Sequence, residues 1–323
     1  MRKTKPWILH LACLTLATAS TAWASDSYPD KPVHWIIPNA AGGGTDAIAR
    51  LIAQHLSPEL GQPVIIENRP GGSSIIGATA LARSKPDGYT MLTSDNATFA
   101  TNPHFYEKMG YDPEKDFSYV SHVARFPLLL ITRPDFPVND GRTFISHLKE
   151  NALTYATPGT GLPHHLASEL LLQETGAQAT HVPYRGSPAA LMDLNAGRID
   201  FMFVDLASGK AFIQDGRVKP LAAATTERLA EFPEVPTMKE LGFDTFEVYA
   251  WQGVVVPKDT PAATVARLNQ ALAAAIDAPG VRERMSEIGV EPNTSTPEEL
   301  AGYATQESQR WGELIRSRGL KID

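Results

Sequence analysis

The sequence predicts an α/β protein of two lobes around a cleft, and three observations predict it. First, short apolar runs of strand length alternate with helical stretches, at Val33–Ile37, Val64–Glu67 and Tyr89–Thr93, and again from Leu128 onward. Strand, helix, strand, helix, strand is the pattern of a parallel sheet. Second, a glycine-containing turn follows a strand in each set: Pro38–Asp46 after the first run and Pro158–Pro163 after Leu153–Thr157. Third, the pattern leaves its first unit near residue 122 and returns near 224. Two crossings make a hinge, and ligands of such sheets sit at the carboxyl ends of the strands.

Each element has its own warrant. Pro32 and Pro38 bound the strand Val33–Ile37, and Thr45 or Asp46 is placed to cap the helix that follows. Ile48, Leu51, Ile52, His55 and Leu56 share one face of that helix. Gly61 and Pro63 lead into Val64–Glu67, and Asn68–Ser74 is a turn-rich loop. A helix over Ile75–Ser84 and the turn Asp87-Gly88 precede Tyr89–Thr93, which ends in a polar loop, Ser94–Thr98. The second unit reads as a strand at Leu128–Thr132, a helix at Thr143–Lys149 and a strand at Leu153–Thr157. His164-His165-Leu166 then opens a helix. Thr180–Pro183, a helix with Leu191 and Leu194, and Ile199–Val204 ending at Asp205 complete it. Leu221–Thr225 reads as a strand returning to the first lobe and Tyr249–Val256 as another. Pro261 starts a helix with Val265, Leu268, Leu272 and Ile276 on one face. Val281–Arg318 reads as helical with a break at Pro292–Pro297, packed on the first lobe.

The bulk numbers agree. At 323 residues, 43% hydrophobic and 20% charged, the chain is long enough for two lobes with a proper core. Its first 24 residues read as a cleavable export signal. Arg2, Lys3 and Lys5 form a basic start, Trp7–Ala19 is an apolar run too short to span a bilayer, and Ala22-Trp23-Ala24 is a cleavage site. The expected domains are therefore the signal at 1–24, lobe one at 25–122 plus 224–323, and lobe two at 123–223. The expected location is outside the cytoplasm, with no membrane anchor. Cys13, the single cysteine, falls in the signal, so the mature chain has no thiol or disulfide chemistry. Without the signal the balance is 26 basic against 36 acidic residues, net −10, a poor match for nucleic acid or anionic lipid.

The first glycine turn places bare backbone N–H groups at a helix N-terminus, a geometry that binds anions. The plainer reading is a loop in which the glycines only turn the chain. A phosphate loop needs a lysine after its glycines, and none follows Gly42-Gly43-Gly44; the spacing also fails the dinucleotide fingerprint, although Glu67 lies at a suggestive distance. His164 and His165 are adjacent, so they point to different faces; without a His-Glu-x-x-His pattern they make no metal site. One of them is expected to cap or pack and the other to meet solvent. No nucleophile elbow is present, and Ser94, His165 and Asp205 carry no spacing that would place them as a triad. No cofactor is expected. Asp205 reads either as a turn residue or as an acceptor for a ligand donor. Arg185 reads as a surface charge or as the cation for a ligand carboxylate, and Glu169 as a solvated face residue.

The collinear order of several segments resembles the Bug-type periplasmic receptors of tripartite tricarboxylate transporters. These segments are Pro38–Asp46, Asn68–Gly77, Asp87-Gly88-Tyr89-Thr90-Met91, Thr157–Leu166 and Val182-Pro183-Tyr184-Arg185-Gly186. Phe201–Asp205, Glu234-Val235-Pro236-Thr237, Trp251-Gln252-Gly253 and Pro257–Val265 follow, so the match spans essentially the whole mature chain. The resemblance implies a type II periplasmic-binding fold that closes on a small organic acid, a di- or tricarboxylate or an aromatic carboxylate, without turnover. It implies delivery of the acid to transporter membrane subunits; report to a sensor kinase is the alternative partner, and an exported hydrolase or isomerase the alternative class. The expected form is a monomer. One end of the ligand would meet Asn39, Ala40, Ala41, Gly42, Gly43 and Asp46 with Ser94, Asp95 and Asn96. The other would meet Thr157, Gly159, Thr160, His165, Tyr184, Arg185, Gly186 and Asp205. Three positions depart from the family pattern: Asn39 stands where an aromatic is common, Gly72 where alanine is common, and Leu162-Pro163-His164 replaces a small polar run.

Overall fold

The computed structural model describes residues 28–322. The export signal, the cleavage site and Cys13 lie outside the described residues. Among the described residues, ten strands form a curled sheet in two halves that share one strand, β4 (Phe117–Thr132). The first half runs β2 (Val64–Asn68), β1 (Val33–Ile37), β3 (Thr90–Asp95), β9 (Tyr249–Pro257), β4, with the short β10 (Glu291–Pro292) on the far edge of β4. The second half runs β4, β7 (Phe201–Asp205), β5 (Leu153–Thr157), β6 (Ala179–Pro183), with β8 (Lys219–Ala223) also against β4.

Strand direction along β4 positions everything else. β1, β2 and β3 are parallel; β9 is antiparallel to β3 and to β4, so β3 runs the same way as β4. β7 is antiparallel to β4, and β5 and β6 follow β7. The carboxyl ends of the first half therefore point toward the second half, and those of the second half point back. Asp95 ends β3 level with Gln252 and so with Ala124 of β4, whereas Asp205 ends β7 level with Leu128. From Ala124 to Leu128 is about 13 Å of strand at about 3.3 Å per residue. Both carboxyl edges thus open onto the same narrow interval.

Helices cover both halves. α1 (Gly44–Leu60), α8 (Ala262–Asp277) and α9 (Pro279–Glu287) pack on one face of the first half, around Trp35, Ile52, Leu56, Leu268 and Leu272. Its other face buries α2 (Ile75–Ala82) with Phe99, Phe117 and Trp251. In the second half, α4 (Gly141–Glu150) and α5 (Pro163–Thr175) pack around Phe144, Tyr155, Phe201 and Phe203. α6 (Ser187–Asn195) and α7 (Leu206–Gln214) cover the opposite face around Leu191, Leu194 and Met202.

Three sequence expectations are corrected here. β4 is sixteen residues, not the five of Leu128–Thr132, because Phe117–Phe126 also pairs, with β9. β8 does not return to the first half; it pairs with Leu129–Thr132, and the crossing comes after it. The last helix, α10 (Pro297–Arg318), does not pack on the first half alone. Thr296 and Glu299 form a reciprocal capping box that starts it, Leu300 and Ala304 enter the first half's core, and Trp311, Leu314 and Ile315 enter the second half's. Its period of 3.6 is legible in the sequence, but two partners on one stripe are not.

Candidate functional site

The first turn is held from below by one buried carboxylate. Asp46 is 3% exposed; its Oδ2 accepts from the Gly42 N–H at 2.9 Å and Arg50 Nε at 3.0 Å, and its Oδ1 from Asn68 Nδ2 at 2.9 Å. The same Asn68 amide donates to the Asn39 carbonyl at 3.1 Å. The Arg50 hydrogen bond, aided by those from Gly42 and Asn68, outweighs burial and holds the Asp46 carboxyl down at about 2. Gly42 sits at φ +81°, a left-handed conformation that costs glycine little. Neither Thr45 nor Asp46 caps α1, contrary to the sequence reading. Gly43 is the N-cap and offers no side chain, because Asp46 is committed to the turn and the Thr45 hydroxyl accepts from Gln252 Nε2 at 2.8 Å. Ala40, Ala41, Gly42 and Gly43 are exposed beside the first turn of α1, whose N–H groups lack partners within the helix. The Asn39 Oδ1 is buried with no partner.

Ser94–Thr98 is not the polar loop the sequence suggests. β3 continues through Asp95, and a π-helical turn, Ala97–Thr101, follows before α3 (Asn102–Phe105). Ser94 Oγ donates to the Gly253 carbonyl at 3.0 Å; Asn96 donates to the Tyr249 carbonyl at 3.3 Å and accepts from the Trp251 N–H at 2.9 Å. Asp95 accepts from the Thr98 N–H and hydroxyl, both at 2.9 Å, and from Ser74 Oγ at 2.8 Å; burial nevertheless pushes its carboxyl up. These polar residues tie β3 to β9 and the Ser74 loop. Four consecutive polar residues, Thr93 to Asn96, read as a loop in the sequence, and only their distant partners reveal the strand.

The second edge carries three helix N-termini, those of α5, α6 and α7, after β5, β6 and β7. Thr157 Oγ1 lies 2.7 Å from His181 Nε2 and 3.2 Å from the Gly159 carbonyl. Gly159 and Thr160 are half-buried in the turn, and Gly161 at φ +77° lies so close to Phe105 that a Cβ would sit 3.0 Å from its ring. The Tyr184 N–H donates to the Thr157 carbonyl at 2.8 Å and its hydroxyl to Asp193 at 2.7 Å; the Gly186 N–H donates to the Pro158 carbonyl at 3.0 Å. Arg185 between them is exposed, and among the described residues it has no carboxylate partner. Asp205 caps α7 through the Ser208 N–H at 2.8 Å and meets His164 Nε2 at 3.2 Å. Burial pushes the Asp205 carboxyl up, but the His164 contact and the Ser208 bonds outweigh it and hold it below the usual range.

Both histidines are buried, so neither meets solvent as the sequence reading expected. His165 stacks on His181 at 4.2 Å between ring centres and accepts from the Gly161 N–H at 3.2 Å. Burial, reinforced by neighbouring His181, lowers it to about 4. Glu169 is not a solvated face residue either. It is buried, accepts from the Tyr155 hydroxyl, and pairs with Arg318 of α10 at 2.7 Å. Ser94, His165 and Asp205 hold separate partners and form no triad. No cluster of metal-ligating side chains occurs among the described residues. Glu67 is spent on His34 and Arg69. The sequence reading weighed His164 only as a metal ligand and as part of a departing run, and named Asn68 and Gln252 only within longer segments, so it placed none of the three at the site.

The buried neutral His165 gives a pH prediction. Its folded pKa lies below the unfolded value of 6.5, so its contribution is full above pH 6.5 and is lost as the pH falls through about 4. His165→Phe keeps the stack and cannot ionise. Its melting temperature should fall less than the wild type's between pH 7 and 4; parallel curves would contradict the assignment.

Two sheet halves with opposed carboxyl edges, joined by crossing strands and lined by helix N-termini, define a receptor of the type II periplasmic-binding class. The model of the tripartite tricarboxylate transporter family receptor matches residues 48–320, and the chain belongs to that family. BugT of Bordetella pertussis is 33% identical over 98% of this chain and 98% of its own length. The structure of a R. palustris protein, Rpa4515, with adipate has a TM-score of 0.80 at 34% identity, covering 91% of this chain and 99% of that one. MatC of Rhodopseudomonas palustris with bound malate has a TM-score of 0.75 at 33% identity, covering 89% of this chain and 100% of that one. The periplasmic binding protein BugD has a TM-score of 0.77 at 35% identity, covering 92% of this chain and 100% of that one, and the family is one of receptors rather than enzymes. None of the described helices is long and apolar enough to cross a membrane.

Proposed function

We propose that this chain is exported by its N-terminal signal, binds a small organic acid between lobes 25–122 plus 224–323 and 123–223, and delivers it as a monomer to tripartite-type membrane subunits. The observation that carries the reading is the pair of opposed carboxyl edges, each presenting helix N-termini to one interval of about 13 Å at 3.3 Å per residue. Adipate and malate in two neighbours support a dicarboxylate as the ligand class. The acid's first carboxylate meets the turn Asn39–Gly43, where Asp46 and the Ala40 carbonyl already hold the Gly42 and Gly43 N–H groups and the Ala40 and Ala41 N–H groups serve as donors; Asp46, Ser94, Asp95 and Asn96 act behind it by fixing that edge. The second end meets the turn Thr157–Thr160, Tyr184-Arg185-Gly186 and Asp205, with His165 packed beneath. Closure of the lobes then sequesters the ligand and creates the form a transporter recognises.

Small-angle scattering with and without adipate or malate tests closure. The radius of gyration should fall on binding, and the acid should be recovered unchanged; binding with an unaltered radius would contradict closure. Arg185→Ala should weaken acid binding by roughly tenfold, as for loss of a charge-assisted hydrogen bond, with an unchanged melting temperature. Equal affinities would remove Arg185 from the site.

A further inference from the structure

We propose that seating an acid on the second turn draws a proton onto His181, so that ligand and proton bind together and affinity rises as the pH falls below neutrality; this rests on reading that turn as a ligand jaw. His181 lies on β6 opposite Tyr155 of β5, and its ring is half-buried rather than enclosed. Its Nε2 is 2.7 Å from Oγ1 of Thr157, the last residue of β5, where the turn begins. The Thr157 hydroxyl donates to the Gly159 carbonyl at 3.2 Å, which leaves Oγ1 as the acceptor of the Nε2 hydrogen. His181 is thus two hydrogen bonds from the middle of the turn. Its Nδ1 has no hydrogen-bond partner among the described residues and is the nitrogen left to take a proton.

The groups around the ring decide which histidine takes the charge. Tyr155 stacks on it at 4.9 Å and His165 of α5 at 4.2 Å, with Glu169 of α5 and its partner Arg318 of α10 behind them. Arg185, which follows β6, is exposed. Burial lowers His181 below its ordinary value and Glu169 only partly offsets this, so the unliganded ring is neutral at and above pH 7. His165 is the poorer proton site. It is 3% exposed, and its Nδ1 already accepts the Gly161 N–H, a bond that protonation there would break. Two rings 4.2 Å apart also favour one charge over two. A carboxylate seated on Gly159 and Thr160 adds a negative charge to this edge, and a nearby opposite charge favours the charged ring. His181 keeps its bond to Thr157 when it charges, because Nε2 donates in both forms. The acid therefore takes up a proton, and by reciprocity the proton strengthens the hold on the acid.

Adipate and malate are titrated calorimetrically into the mature chain at pH 7, where both acids are ionised, in buffers of different ionisation enthalpy. The buffer dependence of the heat should show wild type taking up a fraction of a proton. Its affinity should rise about threefold between pH 8 and pH 6.5, within the limit of roughly tenfold per pH unit for one linked proton. His181→Gln keeps a donor near the Nε2 position but cannot ionise; it should lose both the uptake and the pH dependence. His165→Phe keeps a ring in the stack and should retain both. A wild type that binds without uptake, or equally well at the two pH values, overturns the inference whether or not the variants fold. Uptake that persists in His181→Gln, or vanishes in His165→Phe, also overturns it, because the proton then sits on another group. A wild type that binds neither acid overturns the dicarboxylate reading itself, which separates that failure from the failure of His181.

Discussion

Trp311→Ala should cost about 3–5 kcal/mol of stability, the range for removing a fully buried aromatic. Trp311 is buried among Leu166, Leu171 and Phe246 in the second half's core, although α10 begins in the first half's core at Leu300. Its Nε1 also donates to the buried Glu307 carboxylate at 2.7 Å, so truncation strands an acceptor as well as opening a cavity. A loss of that size is a large share of the roughly 5–15 kcal/mol that a domain possesses. Urea denaturation measures it directly. Trp311→Phe should recover more than half of the loss, since it refills most of the cavity. If Trp311→Ala unfolds at the wild-type midpoint, α10 does not brace the second half as described.

Asp46→Ala should damage the first turn twice over. Three donors converge on this carboxylate, from Gly42, Arg50 and Asn68, and two of them lie within the turn's own support. Losing the acceptor of the exposed Gly42 N–H and of one of the two Asn68 amide hydrogens is expected to cost about 1–2 kcal/mol. The larger consequence is geometric. Gly42 is released from Asp46, the turn Asn39–Gly44 loses its anchor, and acid binding should fall at least tenfold. Asp46→Asn keeps an acceptor for Gly42 and should bind with an intermediate loss. The carboxyl also sets a pH window. Its folded pKa, about 2, lies below the ordinary carboxylate value, so its contribution is full above about pH 4 and is lost as the pH falls through about 2. Wild-type affinity in Asp46→Ala would show that the turn holds its shape without this residue.

The strands around both glycine turns were legible because each is a short apolar run bounded by proline or glycine, and β1, β5 and the Asp205 end of β7 appear where the sequence places them. The polar strand end Ser94-Asp95 was not legible. Its hydroxyl and carboxylate are buried by bonds to Gly253, Thr98 and Ser74, and only Thr98 is close in sequence. Glu169 failed for the same reason, since Arg318 lies 149 residues away. His164 sat next to a second histidine, and only the fold brings Asp205 against it. Local periodicity reports which face is buried; it carries no information on which distant polar group satisfies a buried one.

The most direct test of the receptor assignment is calorimetric titration of the folded, mature chain with a panel of dicarboxylates, tricarboxylates and aromatic carboxylates. The opposed turns predict one site per chain, micromolar or tighter, for at least one dicarboxylate, weakened by both Asp46→Ala and Arg185→Ala. A well-folded sample that binds none of these acids, or binds one with equal affinity in both variants, would contradict the assignment of the two turns as a carboxylate clamp.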